Sequence, residues 1–144
     1  MLYQDAMLAV SYALFEKETG ELIAFFSLAN DKISLDDFEE KREFNRFRRK
    51  RFVNEKRLKS YPAVKICRLG VATKMHGKHL GQFLLLFIKT YFIEDNKTGC
   101  RFITVDAYKD AVPFYIRNGF EPMNADDRDE HTRLLYFDLN DVRS

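Results

Sequence analysis

From Ala63 to Val71 the chain is apolar and β-prone, with Lys65 and Arg68 interleaved, a pattern that predicts a strand. Leu80 to Phe92 is dense in Leu, Phe and Ile and has no breaker after Gly81, which predicts a helix buried on most of its surface. Ala9 to Phe15 and Leu22 to Leu28 read as a hairpin, with Glu16 to Glu21 as the turn and Gly20 free to take positive φ. Leu2 to Leu8 fits the tail of a helix. Ser34 is a good N-cap, with Asp36 and Asp37 suited to a first turn, so a helix is expected over Phe38 to Leu58, breaking into a basic loop. Phe38, Phe44, Phe47 and Phe52 form no clean stripe along it. Gly99 to Tyr108 reads as a strand. Asp110 to Arg117 reads as a short helix with Asp110 as N-cap, Pro113 in its first turn and Gly119 as its stop. Phe120 to Met123 and Leu134 to Leu139 are two final strands around the acidic loop Asp126 to Glu130. The order of strands and helices gives a mixed α/β sheet.

At 144 residues the chain reads as one domain with room for a real core. A formal charge of +2 argues neither for nor against nucleic acid. Cys67 and Cys100 fall in predicted strands, far apart and without metal-ligand spacing, and are expected as buried free thiols; no metal is implied. No signal peptide is visible, and the longest apolar run, Phe83 to Ile88, is far too short for a membrane span. A cytoplasmic protein without membrane contact is expected.

Between the central strand and the apolar helix lies a short polar loop. It carries Gly77 and Gly81 and three potentially cationic side chains, His76, Lys78 and His79. A strand that runs through such a loop into a helix N-terminus makes an anion site, because the free N–H groups of the first turn and the helix dipole both favour negative charge. Glycine lets backbone approach a phosphate closely. For each of the three side chains, solvent exposure is the alternative to contact.

His76-Gly77-Lys78-His79-Leu80-Gly81, preceded by Leu69-Gly70-Val71, resembles the cofactor loop of the GNAT family of N-acetyltransferases, Gln/Arg-x-x-Gly-x-Gly/Ala after a strand ending in a Leu/Val pair. Two positions depart: His76 stands for Gln or Arg, and His79 for the middle Gly. Ala111 to Phe120 resembles the family's second signature, Ala-x-x-Phe-Tyr-x-x-x-Gly-Phe, at every named position. The resemblance implies a GNAT-like fold over residues 1–144: a mixed, mostly antiparallel twisted sheet flanked by helices. The family's first strand and first helix pair have almost no room before Ala9, so this N-terminal part is expected to be missing and a sheet edge open.

The resemblance further implies acetyl-CoA as acetyl donor. A backbone N–H near Leu69 would serve the thioester oxygen, and Gly70 and Val71 would pair with the pantetheine arm. His76 to Gly81 would take the pyrophosphate, Phe114 would pack under the arm, and Tyr115 would be the general acid. The β-carbon of His79 would narrow the pyrophosphate pocket. The other reading of Tyr115 is a core aromatic with a satisfied hydroxyl. No general base stands out; Asp106 and Glu121 are the nearest carboxylates by sequence.

Arg46, Arg48, Arg49, Lys50, Arg51, Lys56, Arg57 and Lys59 form a basic segment, 46–59, with Phe47 and Phe52 among them. It reads either as a solvated helix face or as a footprint for RNA. One GNAT branch comprises toxins of toxin–antitoxin pairs that acetylate aminoacyl-tRNA. The chain resembles that branch where Tyr61-Pro62 leads into the cofactor strand and at Val105-Asp106-Ala107. On this resemblance the acceptor is a primary amine, either aminoacyl-tRNA docked on the basic segment or a small molecule. A second copy or an antitoxin is the expected protein partner, and no DNA contact is implied. The competing reading is a catalytically inactive GNAT-like domain that binds RNA or a protein.

Overall fold

The computed structural model describes residues 9–52, 58–95 and 100–140. The elements expected ahead of Ala9 lie outside them, as do Lys56, Arg57 and Gly99. The chain begins with strands β1 (Ala9–Phe15) and β2 (Leu22–Ser34), followed by helix α1 (Lys41–Arg51) and strand β3 (Ser60–Val71). Helix α2 (Leu80–Asp95), strand β4 (Phe102–Tyr108) and helix α3 (Val112–Arg117) come next, then strands β5 (Glu121–Pro122) and β6 (Thr132–Asp138). One six-stranded sheet has the order β1-β2-β3-β4-β6-β5, and every neighbouring pair is antiparallel except β3–β4. Among the described residues no helix is long and apolar enough to cross a membrane.

The hairpin forms as the pattern predicts, but β2 runs on to Ser34, because β3 starts at Ser60 and pairs with it along its length. Ser34 caps only a single 3-10 turn, Leu35–Asp37, where its N–H donates to Asp37 Oδ2 at 2.8 Å. The helix expected over Phe38 to Leu58 is therefore shorter, Lys41–Arg51, with Glu40 at its N-cap. Asp110 likewise lies inside a 3-10 turn, Lys109–Ala111, that leads into α3. The strand expected over Phe120 to Met123 contracts to Glu121–Pro122.

Two cores lie on opposite faces of the sheet. On one face, Leu84, Leu85, Ile88 and Phe92 of α2 and Tyr115 of α3 pack on Phe26, Ile66, Ile103, Val105 and Leu135. On the other, Phe38, Phe44 and Phe47 pack with Tyr61, Phe102 and Tyr136, and Phe52 joins them from the rim. The four phenylalanines without a clean stripe thus converge in space: the Phe47 ring lies 5.5 Å and the Phe52 ring 6.3 Å from that of Phe102. Helix α2 is buried on one face only, for Phe83, Leu86, Phe87 and Tyr91 are exposed. Its inner residues meet the sheet, while the outer ones touch it only at the β1–β2 end, where the Phe87 ring lies 6.1 Å from that of Phe26 and Tyr91 hydrogen-bonds Tyr12.

One irregularity positions the site. In the β2–β3 ladder Ser27 pairs with Arg68 and Leu28 with Ile66, so Cys67 is an extra, bulged residue. A bulge bends its strand and increases the local twist. It falls immediately after Ile66, the last β3 residue paired with β4. Beyond it β3 stays with β2 and parts from β4, opening a V-shaped splay. The bulge also leaves Cys67 exposed, unlike the expected buried thiol; Cys100 is buried, and neither forms a disulfide among the described residues.

Candidate active site

The splay forms a cleft of about 900 Å³. One wall is the end of β3, the following loop and the start of α2: Leu69, Val71, Met75, His76, Gly77, His79, Leu80, Gly81 and Gln82. The other is Ala111, Phe114, Arg117 and Asn118, in and beside α3.

The backbone of the first wall is directed by its ladder. The Ala72 N–H donates to the Ile23 carbonyl at 2.8 Å. Antiparallel pairing alternates the direction of successive residues, so the N–H and C=O of Leu69 and Val71 face away from β2 and into the splay. Gly70 instead turns its polar groups to β2 and does not line the cleft. It lies under the Phe25 ring, where a Cβ would stand 2.5 Å from a ring carbon.

A 3-10 turn, Thr73–Met75, then folds the loop back on the strand. Lys74 anchors it to the β1–β2 turn through Glu21, with Glu16 3.8 Å away. The His76 ring returns to the strand, its Nε2 3.0 Å from the Val71 carbonyl oxygen. Gly77 has φ +82°, and His79 has φ +60°, the left-handed region where a side chain costs about 1 kcal/mol or more. His79 holds this conformation at the position where the cofactor motif carries Gly. The first N–H groups of α2 have no intrahelical acceptor, and Leu80, Gly81 and Gln82, which carry them, line the cleft. Gly81 meets the opposite wall closely: a Cβ there would be 3.1 Å from the Phe114 ring. Lys78 is exposed and outside the lining.

Tyr115 also lies outside the lining, next to Phe114. Its ring is buried, edge-on to Phe114 at 5.2 Å and to Phe120 at 5.3 Å. Among the described residues its hydroxyl has no protein hydrogen-bond partner. The only fully buried unpartnered side-chain nitrogen or oxygen among them is Arg48 Nε, so the hydroxyl keeps contact with solvent. Burial pushes the phenol up to about 12.

The two carboxylates nearest by sequence are engaged elsewhere. Asp106 pairs with Lys65 at 2.8 Å, and Glu121 accepts the Tyr136 hydroxyl at 2.9 Å. Arg117 and Asn118 were not legible as site residues, because they occupy variable positions of the second signature.

The basic segment is divided by the fold. Arg48 bonds Asn45 and the Leu58 carbonyl and covers the Phe44 ring; Arg51 turns inward to Asp138. Arg42, Arg46, Arg49 and Lys50 stay exposed on one face of α1 and make no ion pair among the described residues. Lys59 is exposed as well.

In overall fold the chain is similar to a bacterial toxin of known crystal structure at 18% identity and TM-score 0.77, over 99% of this chain and 74% of that one. It is similar to a tyrosine-to-phenylalanine mutant of KacT at 18% identity and TM-score 0.75, over 99% and 78%. A third similar structure is AtaT complexed with acetyl-methionyl-tRNAfMet, at 16% identity and TM-score 0.70, over 99% and 78%. At such identities the likeness is one of fold. No curated protein matches the sequence. The family model for the acetyltransferase (GNAT) domain matches residues 40–139, a span that holds the bulged strand, the loop and both signatures. With more than half of the chain matched and the splayed sheet in place, the chain belongs to the GNAT acetyltransferase family.

Proposed function

We propose that the chain, as one domain over residues 1–144, transfers an acetyl group from acetyl-CoA to a primary amine, with aminoacyl-tRNA as the acceptor class. The observation that carries this reading is the splay. It offers an open strand edge at Leu69 and Val71 for an amide-bearing arm, and a helix N-terminus at Leu80 and Gly81 for the pyrophosphate. Phe114 would pack against the arm. AtaT, similar in fold, has been solved within AtaTR bound with AcCoA.

In the reaction a neutral amine attacks the thioester carbonyl, and its surplus proton leaves to solvent. The Leu69 N–H stabilises the oxyanion. As the intermediate collapses, the C–S bond breaks and the departing sulfur takes a proton from the Tyr115 phenol, which solvent restores. The products are an N-acetyl amide and CoA. Acetyl-CoA titrated calorimetrically into the chain is expected to bind one to one, and thiol release is expected on adding aminoacyl-tRNA. Binding without thiol release for any amine would leave the second reading, a domain that binds without turnover. The side chain at left-handed His79 favours that alternative.

Support for the RNA acceptor comes from the exposed face Arg42, Arg46, Arg49 and Lys50. Each phosphate contact releases counterions, so binding falls steeply with salt. The double variant Arg46→Ala/Arg49→Ala is expected to weaken tRNA binding and to lower the slope of log K against log salt by about two. An unchanged slope removes α1 from the RNA interface. A cytoplasmic location and an antitoxin partner accord with this reading; AtaT has been solved bound to the C-terminus of the antitoxin AtaR.

A further inference from the structure

The donor arm on the reading above carries two amides and must find backbone partners in the splay. The first wall offers it few: the N–H and C=O of Leu69 and of Val71, directed there by strand alternation. One of these is already held. His76 Nε2 lies 3.0 Å from the Val71 carbonyl oxygen, and since a carbonyl only accepts, the ring donates. The contact spans five residues and exists because the Thr73–Met75 turn doubles the loop back, with the Met75 N–H on the Ala72 carbonyl at 2.9 Å and the His76 N–H on the Thr73 carbonyl at 3.1 Å. His76 and Val71 both line the cleft, so the ring stands on the side from which an arm would approach.

We propose that His76 is a positioning residue for the acyl donor, a latch whose N–H holds the Val71 carbonyl on the cleft side, from which a donor amide would reach it. This rests on the acetyl-CoA reading. Engagement of the arm is then an exchange: the His76 N–H leaves the carbonyl and an amide N–H of the pantetheine arm replaces it. No covalent bond changes. His76 therefore lowers affinity for the amide arm itself, independently of any phosphate.

Pantetheine, which has the amides and no phosphate, is the discriminating probe. Its affinity is read by competition against desulfo-CoA bound to the full chain, for wild type, His76→Ala and His76→Phe. Both variants lack the donor, and the second keeps a ring. Tighter pantetheine binding in both, by roughly three- to tenfold, is the worth of one hydrogen bond that no longer has to be exchanged. Unchanged or weaker pantetheine binding overturns the latch; loss of CoA and adenosine diphosphate affinity in its place would make His76 a phosphate ligand only. Wild-type chain gives an independent readout in long-range ¹H–¹⁵N spectra of the histidine rings. The Nε2–H form of His76 is expected, with ring shifts that change on adding pantetheine; constant shifts overturn the proposal. If wild type binds neither desulfo-CoA nor acetyl-CoA, the acetyltransferase reading falls and the latch with it. If it binds both while pantetheine affinity is the same in all three proteins, the latch alone falls.

Discussion

Tyr115→Phe is expected to slow acetyl transfer by about a hundredfold or more, within the 10²–10⁴ range of a positioned general acid, while acetyl-CoA affinity stays close to wild type. The ring is the buried part, packed between Phe114 and Phe120, and phenylalanine keeps it. The hydroxyl has no protein partner among the described residues, so its removal orphans none of them. Stability should therefore hold, and the denaturation midpoint is the control. Burial disfavours the phenolate and raises the phenol to about 12, so the group is protonated at pH 7 and remains so until the solution approaches that value. No loss of rate from Tyr115 is expected between pH 6 and about 11 on this ground. The same shift limits the effect. A phenol near 12 is a weaker acid than an ordinary thiol near 8.5, so its help comes as charge develops on sulfur and belongs at the lower end of the range. Equal rates for the two proteins would remove Tyr115 from the mechanism.

The largest effect on stability is expected at Asp138. Its side chain is 3% exposed and accepts Arg101 Nε at 2.7 Å and Arg51 Nε at 3.2 Å. A second Arg101 nitrogen donates at 3.1 Å, and the Asn140 N–H at 2.9 Å. Arg51 also donates to the Tyr136 hydroxyl and stands over the Phe47 ring at 4.4 Å; Arg101 stands over Phe52 at 4.7 Å. One carboxylate thereby joins the end of α1, the approach to β4 and the end of β6. Asp138→Ala removes it and leaves two half-sheltered guanidinium groups without their main acceptor, a loss in the range of about 3–5 kcal/mol for breaking a buried pair. Glu121, 3.9 Å from Arg51, compensates in part and places the expectation near the lower bound. Urea denaturation should show the midpoint fall with little change in slope. Asp138→Asn, which keeps two acceptor sites, should lose less. An unaltered midpoint for Asp138→Ala would mean that the packed rings alone hold α1. Because α1 carries the exposed Arg42, Arg46, Arg49 and Lys50, RNA affinity should fall with it.

Local pattern sufficed for much of this protein. Ala9 to Phe15, Ala63 to Val71 and Leu80 to Phe92 lie within observed elements because apolar period and breakers act over a few residues. The loop and Ala111 to Phe120 pointed to the family for the same reason: their residue types serve the backbone of their own segment. Left-handed backbone at His79 is local too, yet a histidine there gives no sign of it, since glycine is the usual signal.

What remained hidden depends on which elements meet. The splay begins at Ile66 because a bulge in the β2–β3 ladder coincides with the end of β3–β4 pairing, and both are relations between strands. Phe38, Phe44, Phe47 and Phe52 show no common period, but a strand from far along the chain brings Phe102 to Phe47 and Phe52, and Phe38 packs on Phe44 and Phe47. Arg51 looked like one more member of a basic run until Asp138, 87 residues away, proved to be its partner. Arg117, Asn118 and the His76 contact with Val71 enter the site only once the loop is folded back and α3 is docked. A sequence specifies period, caps and breakers along each element; burial, ion pairing and the shape of a cleft are set by the element packed against it, and only the tertiary structure brings that neighbour into place.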